Sequence, residues 1–299
     1  MAQYFPPVDT PRAPVPLPPA NTCDSQFHVF GPPERYPVRS GAAYEMPSAT
    51  IERALDMHRT LGITRGVIVQ ATTYGADHTV VVDALRAAGP GYRGCANAAV
   101  LTERDDAYIA TLHDAGVRGA RFTRQGLGIS FDAPAQQRAF AKIRELGWYA
   151  KFQPEVAGIA ETYDTLKPLD MPVIIDHMGR PEASQGMQDR NVQVVLELLK
   201  RGNFWVMLSL SEKISKAGPP WNDVIPIAQA YIDAAPDRCI WGSDWPHPVS
   251  TKQPPNEGEL LELLYRFAPD KAMRERILVD NPSRLFGFGG RDQPASSGP

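Results

Sequence analysis

Where an apolar stretch ends, the chain reads Cys239-Ile240-Trp241-Gly242-Ser243-Asp244-Trp245-Pro246-His247-Pro248, which sets a carboxylate and an imidazole at the exit of a buried strand. A carboxylate held there is partly desolvated. Desolvation disfavours the charged form, raises the pKa and makes a base usable near neutrality. Asp244 is therefore the first candidate to accept a proton. His247 follows Pro246, whose fixed φ can aim the ring into the same pocket.

Two further stretches carry related chemistry. In Asp24-Ser25-Gln26-Phe27-His28 the amide and the imidazole are two residues apart, so on a strand Gln26 and His28 share a face and can grip one oxygen. Val173-Ile174-Ile175-Asp176-His177-Met178-Gly179-Arg180-Pro181 ends a buried strand with a histidine, a glycine suited to a tight turn, and an arginine. His177 can donate to a carbonyl or coordinate a metal, and Arg180 offers a carboxylate the forked geometry of guanidinium. The alternative for Arg180 is a brace to Asp176.

These groups need a scaffold, and the pattern around them supplies one. Short apolar runs at residues 23–30, 66–70, 94–100, 119–123, 148–153, 173–177, 205–210 and 239–241 alternate with helical patterns at 48–61, 77–88, 103–115, 134–146, 192–201 and 221–235. Ser48 is a candidate N-cap. Alternation of this kind predicts a parallel sheet, and eight repeats favour a single-domain α/β fold, the (β/α)8 TIM barrel, over an open sheet. Neither the glycine signature of dinucleotide binding nor the Walker loop occurs. In a barrel the chemistry sits where the strands end, and the polar residues there include Thr72, Arg121, Arg124, Gln153, Lys213, Asp244 and the two histidines. Tyr44 lies in a loop that can cover the mouth. His58 and His113 fall on outer helices and read as surface or packing residues, while His78 reads as part of a helix cap.

Seven prolines in the first twenty residues preclude helix and remove ladder donors, so residues 1–20 are expected to form an extended Pro-rich arm ahead of a barrel at 21–288. Residues 289–299 read as a flexible tail. A formal net charge of −3 without a basic stripe argues against nucleic acid as a partner. Cys23, Cys95 and Cys239 are far apart and set in apolar surroundings, the pattern of buried thiols in a reducing compartment. No charged and apolar leader opens the chain and no apolar run approaches bilayer length, so the expectation is a cytoplasmic protein without a membrane partner. The proline arm leaves a homo-oligomer open.

Taken together, the stretches 24–28, 176–181 and 241–248, with Val69-Gln70-Ala71-Thr72, Gly116-Val117-Arg118-Gly119 and Asp280-Asn281-Pro282, resemble the amidohydrolase superfamily, and within it the 2-pyrone-4,6-dicarboxylate hydrolases (lactonases). The similarity runs from about Asn21 to Phe286. It implies a (β/α)8 barrel, hydrolysis of a carboxylated lactone in aromatic or sugar-acid catabolism, water activation by the aspartate after strand eight, here Asp244, and polarisation of the carbonyl by His28 and His177. It also implies that Tyr44 and Arg121 meet substrate carboxylates.

Two departures refine that expectation. The superfamily's first strand usually carries His-x-His, and Gln26 stands at the first position. An amide oxygen is a poor zinc ligand, so no tight metal and no other cofactor is expected, with a weakly held divalent ion left open. Around the substrate, Leu127, Gln153 and Lys213 fall where the lactonases carry arginine, tyrosine and arginine, and Arg124 and Lys151 are candidates to compensate. The substrate is then expected to be a relative of the pyrone. The alternatives are a metal-independent lactone isomerase, a related decarboxylase that would need a metal, and an inactive barrel that binds a small carboxylate.

Overall fold

The structure, a computed structural model, describes residues 4–42, 44–123 and 133–289. Among them eight strands form one parallel sheet in sequence order: β1 Cys23–Phe27, β2 Arg65–Val69, β3 Tyr92–Asn97, β4 Val117–Phe122, β5 Tyr149–Phe152, β6 Val173–Ile175, β7 Phe204–Leu208 and β8 Cys239–Trp241. The expected (β/α)8 TIM barrel is the fold. Its last seam is closed by the segments that carry the candidate chemistry: the Asp244 amide donates to the Gln26 carbonyl at 2.9 Å and the His28 amide to the Trp245 carbonyl at 2.7 Å.

Alternation along the strands sorts side chains into two cores. Val67, Val69, Tyr149, Ile174, Trp205, Met207 and Ile240 fill the barrel with Cys23, Cys95, Phe286 and Phe288. Ile68, Ala120, Ala150, Phe152, Val173, Ile175, Val206 and Leu208 face the helices. Helix Ile51–Leu61 shows how the outer layer forms: Ile51, Ala54, Met57, His58 and Leu61 recur at helical spacing and are buried. It stops at Gly62, whose φ of 76° lets its amide reach the Arg59 and His58 carbonyls. Helix Arg190–Leu199 starts at Asp189, whose carboxylate accepts from the Asn191 and Val192 amides.

Several boundaries differ from those expected. The first run ends at Phe27 because the next backbone donor turns to the β8 loop. The sixth ends at Ile175, since His177 takes a φ of 50°. Ser48 does not cap the first helix; Thr50 occupies that position, and the Ser48 hydroxyl donates to the Phe30 carbonyl at 3.3 Å. Helix Glu257–Phe267, which packs on helix Ile225–Ala234, was not among those expected. Residues 4–20 contain neither helix nor strand and lie along the barrel, with Arg12 forked onto Glu262 at 2.7 Å and the Phe5 amide on the Ser250 carbonyl. Residues 290–299 of the expected tail lie outside the described residues.

Candidate active site

Three loops at the C-terminal ends of the strands hold non-glycine residues in the left-handed region: His177, Met178 and Arg180 after β6, Leu210 after β7, and Asp244, His247 and Val249 after β8. Each such residue costs on the order of 1–3 kcal/mol, so the surrounding bonds must over-determine it. For Asp244 they are its own amide on Gln26, its carbonyl accepting from the His247 amide at 2.7 Å, and its side chain. Below it, Asp24 ties β1 to the β8 loop. Its carboxylate accepts from the Ser243 amide at 2.9 Å, the Ser243 hydroxyl at 2.5 Å, and His58 Nε2 at 3.2 Å. His58, expected at the surface or in packing, is thus a buried bracket whose Nδ1 meets the Tyr92 hydroxyl at 3.0 Å.

The loops enclose a cavity of about 280 Å³ lined by nine of the expected residues: His28, Tyr44, Thr72, Arg121, Gln153, His177, Arg180, Lys213 and Asp244. Its size suits one small ring. A larger recess of about 640 Å³ beside Arg35, Glu52 and Arg86 lies outside the barrel mouth and contains none of these groups. Gln26 and His247 are fully buried and do not line the cavity. Arg124 lies outside the described residues.

Asp244 is the centre of the arrangement. Gln26 Nε2 donates to its Oδ1 at 2.9 Å, and His28 Nε2 lies 3.3 Å from the same oxygen. His28 Nδ1 sits 2.7 Å from the Val69 carbonyl, which can only accept, so that nitrogen carries a proton. The expected rise in the Asp244 pKa is overturned. Burial does push the carboxyl upward, but the charges of His177, His28 and Lys213 and the His28 hydrogen bond outweigh it, holding the group well below the usual carboxylate range. Asp244 is ionised throughout the neutral range. His177 is lowered, chiefly by burial, against the pull of Asp176 and Asp244. Its Nδ1 meets the Ser209 hydroxyl at 3.0 Å and its Nε2 lies 3.6 Å from Asp176 Oδ2, which together fix the ring at the cavity wall.

Charge complementarity is equally clear. Arg121 donates one N–H to the Gln70 carbonyl at 3.0 Å, which steadies its fork at the cavity wall. Lys213 is steadied by the Pro248 carbonyl at 2.9 Å. With Arg180 they put three cations around the space that Asp244 faces. Thr72 donates to the Tyr44 oxygen at 3.3 Å, leaving the phenol proton available, and burial pushes the Tyr44 pKa up. Gln153 Oε1 is buried with no hydrogen-bond partner.

His247 belongs elsewhere. Its ring lies between Glu212, 3.3 Å from Nδ1, and Glu257, 3.4 Å from Nε2. The expectation that Pro246 aims it into the pocket is corrected: two buried carboxylates attract it more strongly. Sequence reasoning underrated Lys151, named only as a possible compensating charge. Its signal was a lone charge in an apolar strand at the same parity as Tyr149 and Gln153.

A divalent metal requires free oxygen or nitrogen lone pairs, and the Gln26 amide has none to offer. Lys151 Nζ, a cation, donates to Gln26 Oε1, and Gln26 Nε2 faces Asp244, so neither end of that amide is free to coordinate. Among the described residues no group of three or more His, Cys, Asp or Glu is placed to hold a metal ion. The residues present do not fit a resident metal.

The chain matches the family model described as amidohydrolase over residues 23–288. It is 36% identical over 293 residues, 95% of this chain and 97% of the relative, to a 4-sulfomuconolactone hydrolase of Rhizobium radiobacter. It is 34% identical over 278 residues, 90% of each chain, to a 2-pyrone-4,6-dicarboxylate hydrolase of Comamonas testosteroni. A crystal structure of an Agrobacterium tumefaciens protein without ligand superposes with a TM-score of 0.81 at 25% identity, covering 93% of this chain and 99% of that one. Among the described residues no helix is long and apolar enough to cross a membrane.

Proposed function

For a chain that belongs to the amidohydrolase family, we propose hydrolysis of a lactone that carries one or more acidic groups, with Asp244 activating water and no metal taking part. One observation carries this reading: an ionised, buried carboxylate faces a cavity that also presents two imidazoles and three cations. The relatives of similar length, named as hydrolases of 4-sulfomuconolactone and 2-pyrone-4,6-dicarboxylate, support the substrate class.

Substrate acids pair with Arg121, Arg180 and Lys213, which fixes the ring under Asp244. The same pairing neutralises Lys213, one of the charges that hold the Asp244 carboxyl down, so its proton affinity rises once substrate is bound. Water then gives a proton to Asp244 while its oxygen attacks the lactone carbonyl. His177 donates to the oxyanion, a well-aimed donor being worth about 3 kcal/mol of barrier, while His28, whose two ring nitrogens face the Val69 carbonyl and Asp244, holds the base in place. The acyl C–O bond breaks, and the leaving oxygen takes the proton back from Asp244. Gln26, first considered for the oxyanion, acts instead on the carboxylate it touches. We further place the enzyme in the cytoplasm.

Turnover in heavy-oxygen water tests the reaction. Hydrolysis places one solvent oxygen in the new carboxylate; an unlabelled ring-shifted product would mean that a substrate hydroxyl attacks and that the enzyme is an isomerase. Activity unchanged by exhaustive chelation is expected, and its loss with recovery on metal addition would overturn the metal-free mechanism.

A further inference from the structure

Lys151 lies on β5 with its side chain in the barrel interior, 1% exposed and absent from the cavity lining. An ammonium is expensive to bury, so its partners define its role. Nζ donates to Gln26 Oε1 and lies 3.5 Å from Asp176 Oδ1. Burial pushes its pKa down while Asp176 pulls it up. An ammonium has three donors and no acceptor. The Gln26 amide must therefore meet it with oxygen, and its N–H2 is left on the opposite edge, where Nε2 reaches Asp244 Oδ1 at 2.9 Å. Turned over, the amide would set an oxygen against a carboxylate and an N–H2 against an ammonium, two repulsive contacts in a low-dielectric interior.

We propose that Lys151 is the positioning residue of the base: through Gln26 it decides which oxygen of Asp244 is tied down and which is presented to the attacking water. Its consequence for turnover rests on the lactonase reading; the orientation of the amide does not. Lys151 touches no substrate, and its contact with Gln26 carries the effect across the barrel from β5 to the β8 loop.

The experiment compares wild type, Lys151→Met, Gln26→Leu and the double variant. Lys151→Met should lower kcat about 10- to 100-fold with KM little changed, the scale of a displaced catalytic group. Gln26→Leu should do the same, and the double variant should be no slower than the slower single one. The side-chain amide resonance of Gln26, assigned by its loss in Gln26→Leu, should be shifted downfield by the Asp244 carboxylate in wild type and should move to the ordinary glutamine position in Lys151→Met. Losses that multiply in the double variant, or an amide resonance indifferent to Lys151, overturn the proposal. If Lys151→Met does not fold, Lys151→Met/Asp176→Asn removes both buried charges and carries the same expectations. A wild type inactive on every lactone sinks the lactonase reading, while the amide resonance still decides the role of Lys151.

Discussion

Stability above neutral pH should fall as His247 loses its proton. The ring is fully buried between Glu212 and Glu257. Burial, the largest influence, opposes its charge, but hydrogen bonds and attraction from the two carboxylates prevail and raise the pKa from 6.5 to about 10. The folded value lies above the unfolded one, so the contribution is fully present below pH 6.5 and drains away as pH rises towards 10. At about 1.4 kcal/mol per unit, the whole interval is worth on the order of 5 kcal/mol, and roughly half of it disappears between pH 7 and 9. The function is linked to this loss because the His247 amide donates to the Asp244 carbonyl. Urea unfolding at pH 7, 8 and 9 should show the decline in wild type and a flatter dependence in Glu212→Gln/His247→Leu/Glu257→Gln, which removes every titrating member. Ionisation of the buried cysteines affects both proteins alike and cancels. Equal pH dependence in the two proteins would refute the assignment of a charged His247.

Other consequences can be checked separately. Arg121→Met should raise KM by about 30- to 100-fold, the scale of a lost charged hydrogen bond, and Arg121→Lys should restore only part of it because an ammonium cannot fork; equal KM values for the lysine variant and wild type would remove the bidentate contact. His177→Gln should lower kcat about 10²- to 10³-fold with substrate binding retained, and steady-state kinetics with product calorimetry will show whether the two effects separate. His78 is fully buried, and burial lowers its pKa to about 4. Its contribution is present above pH 6.5 and lost as pH falls towards 4, so His78→Gln should flatten the decline in unfolding free energy between pH 6.5 and 4.5 by on the order of 3 kcal/mol.

The barrel was legible because eight short apolar runs alternated with helical patterns, and strand parity placed Gln26, Arg121, Gln153 and Asp244 near one rim. What escaped the sequence was mostly electrostatic. A carboxylate at a strand exit reads as desolvated, yet the sign of its pKa shift depends on which charges fold against it, and those come from the segments that follow β1, β6 and β7. His247 followed a proline beside a candidate base, but its partners Glu212 and Glu257 stand 35 and 10 positions away in sequence, with nothing local to announce them. Gln26 was identified as a functional residue with the wrong neighbour, because the Lys151 that orients it lies 125 positions distant.

The most direct test of the account is Asp244→Asn. The substitution keeps the shape and the hydrogen-bonding reach of the side chain but removes the proton acceptor. Turnover should fall by about 10²- to 10⁴-fold, while calorimetry should show product binding retained or tightened, since an anion then meets one negative charge fewer. Near-wild-type hydrolysis in this variant would contradict the claim that Asp244 activates the attacking water.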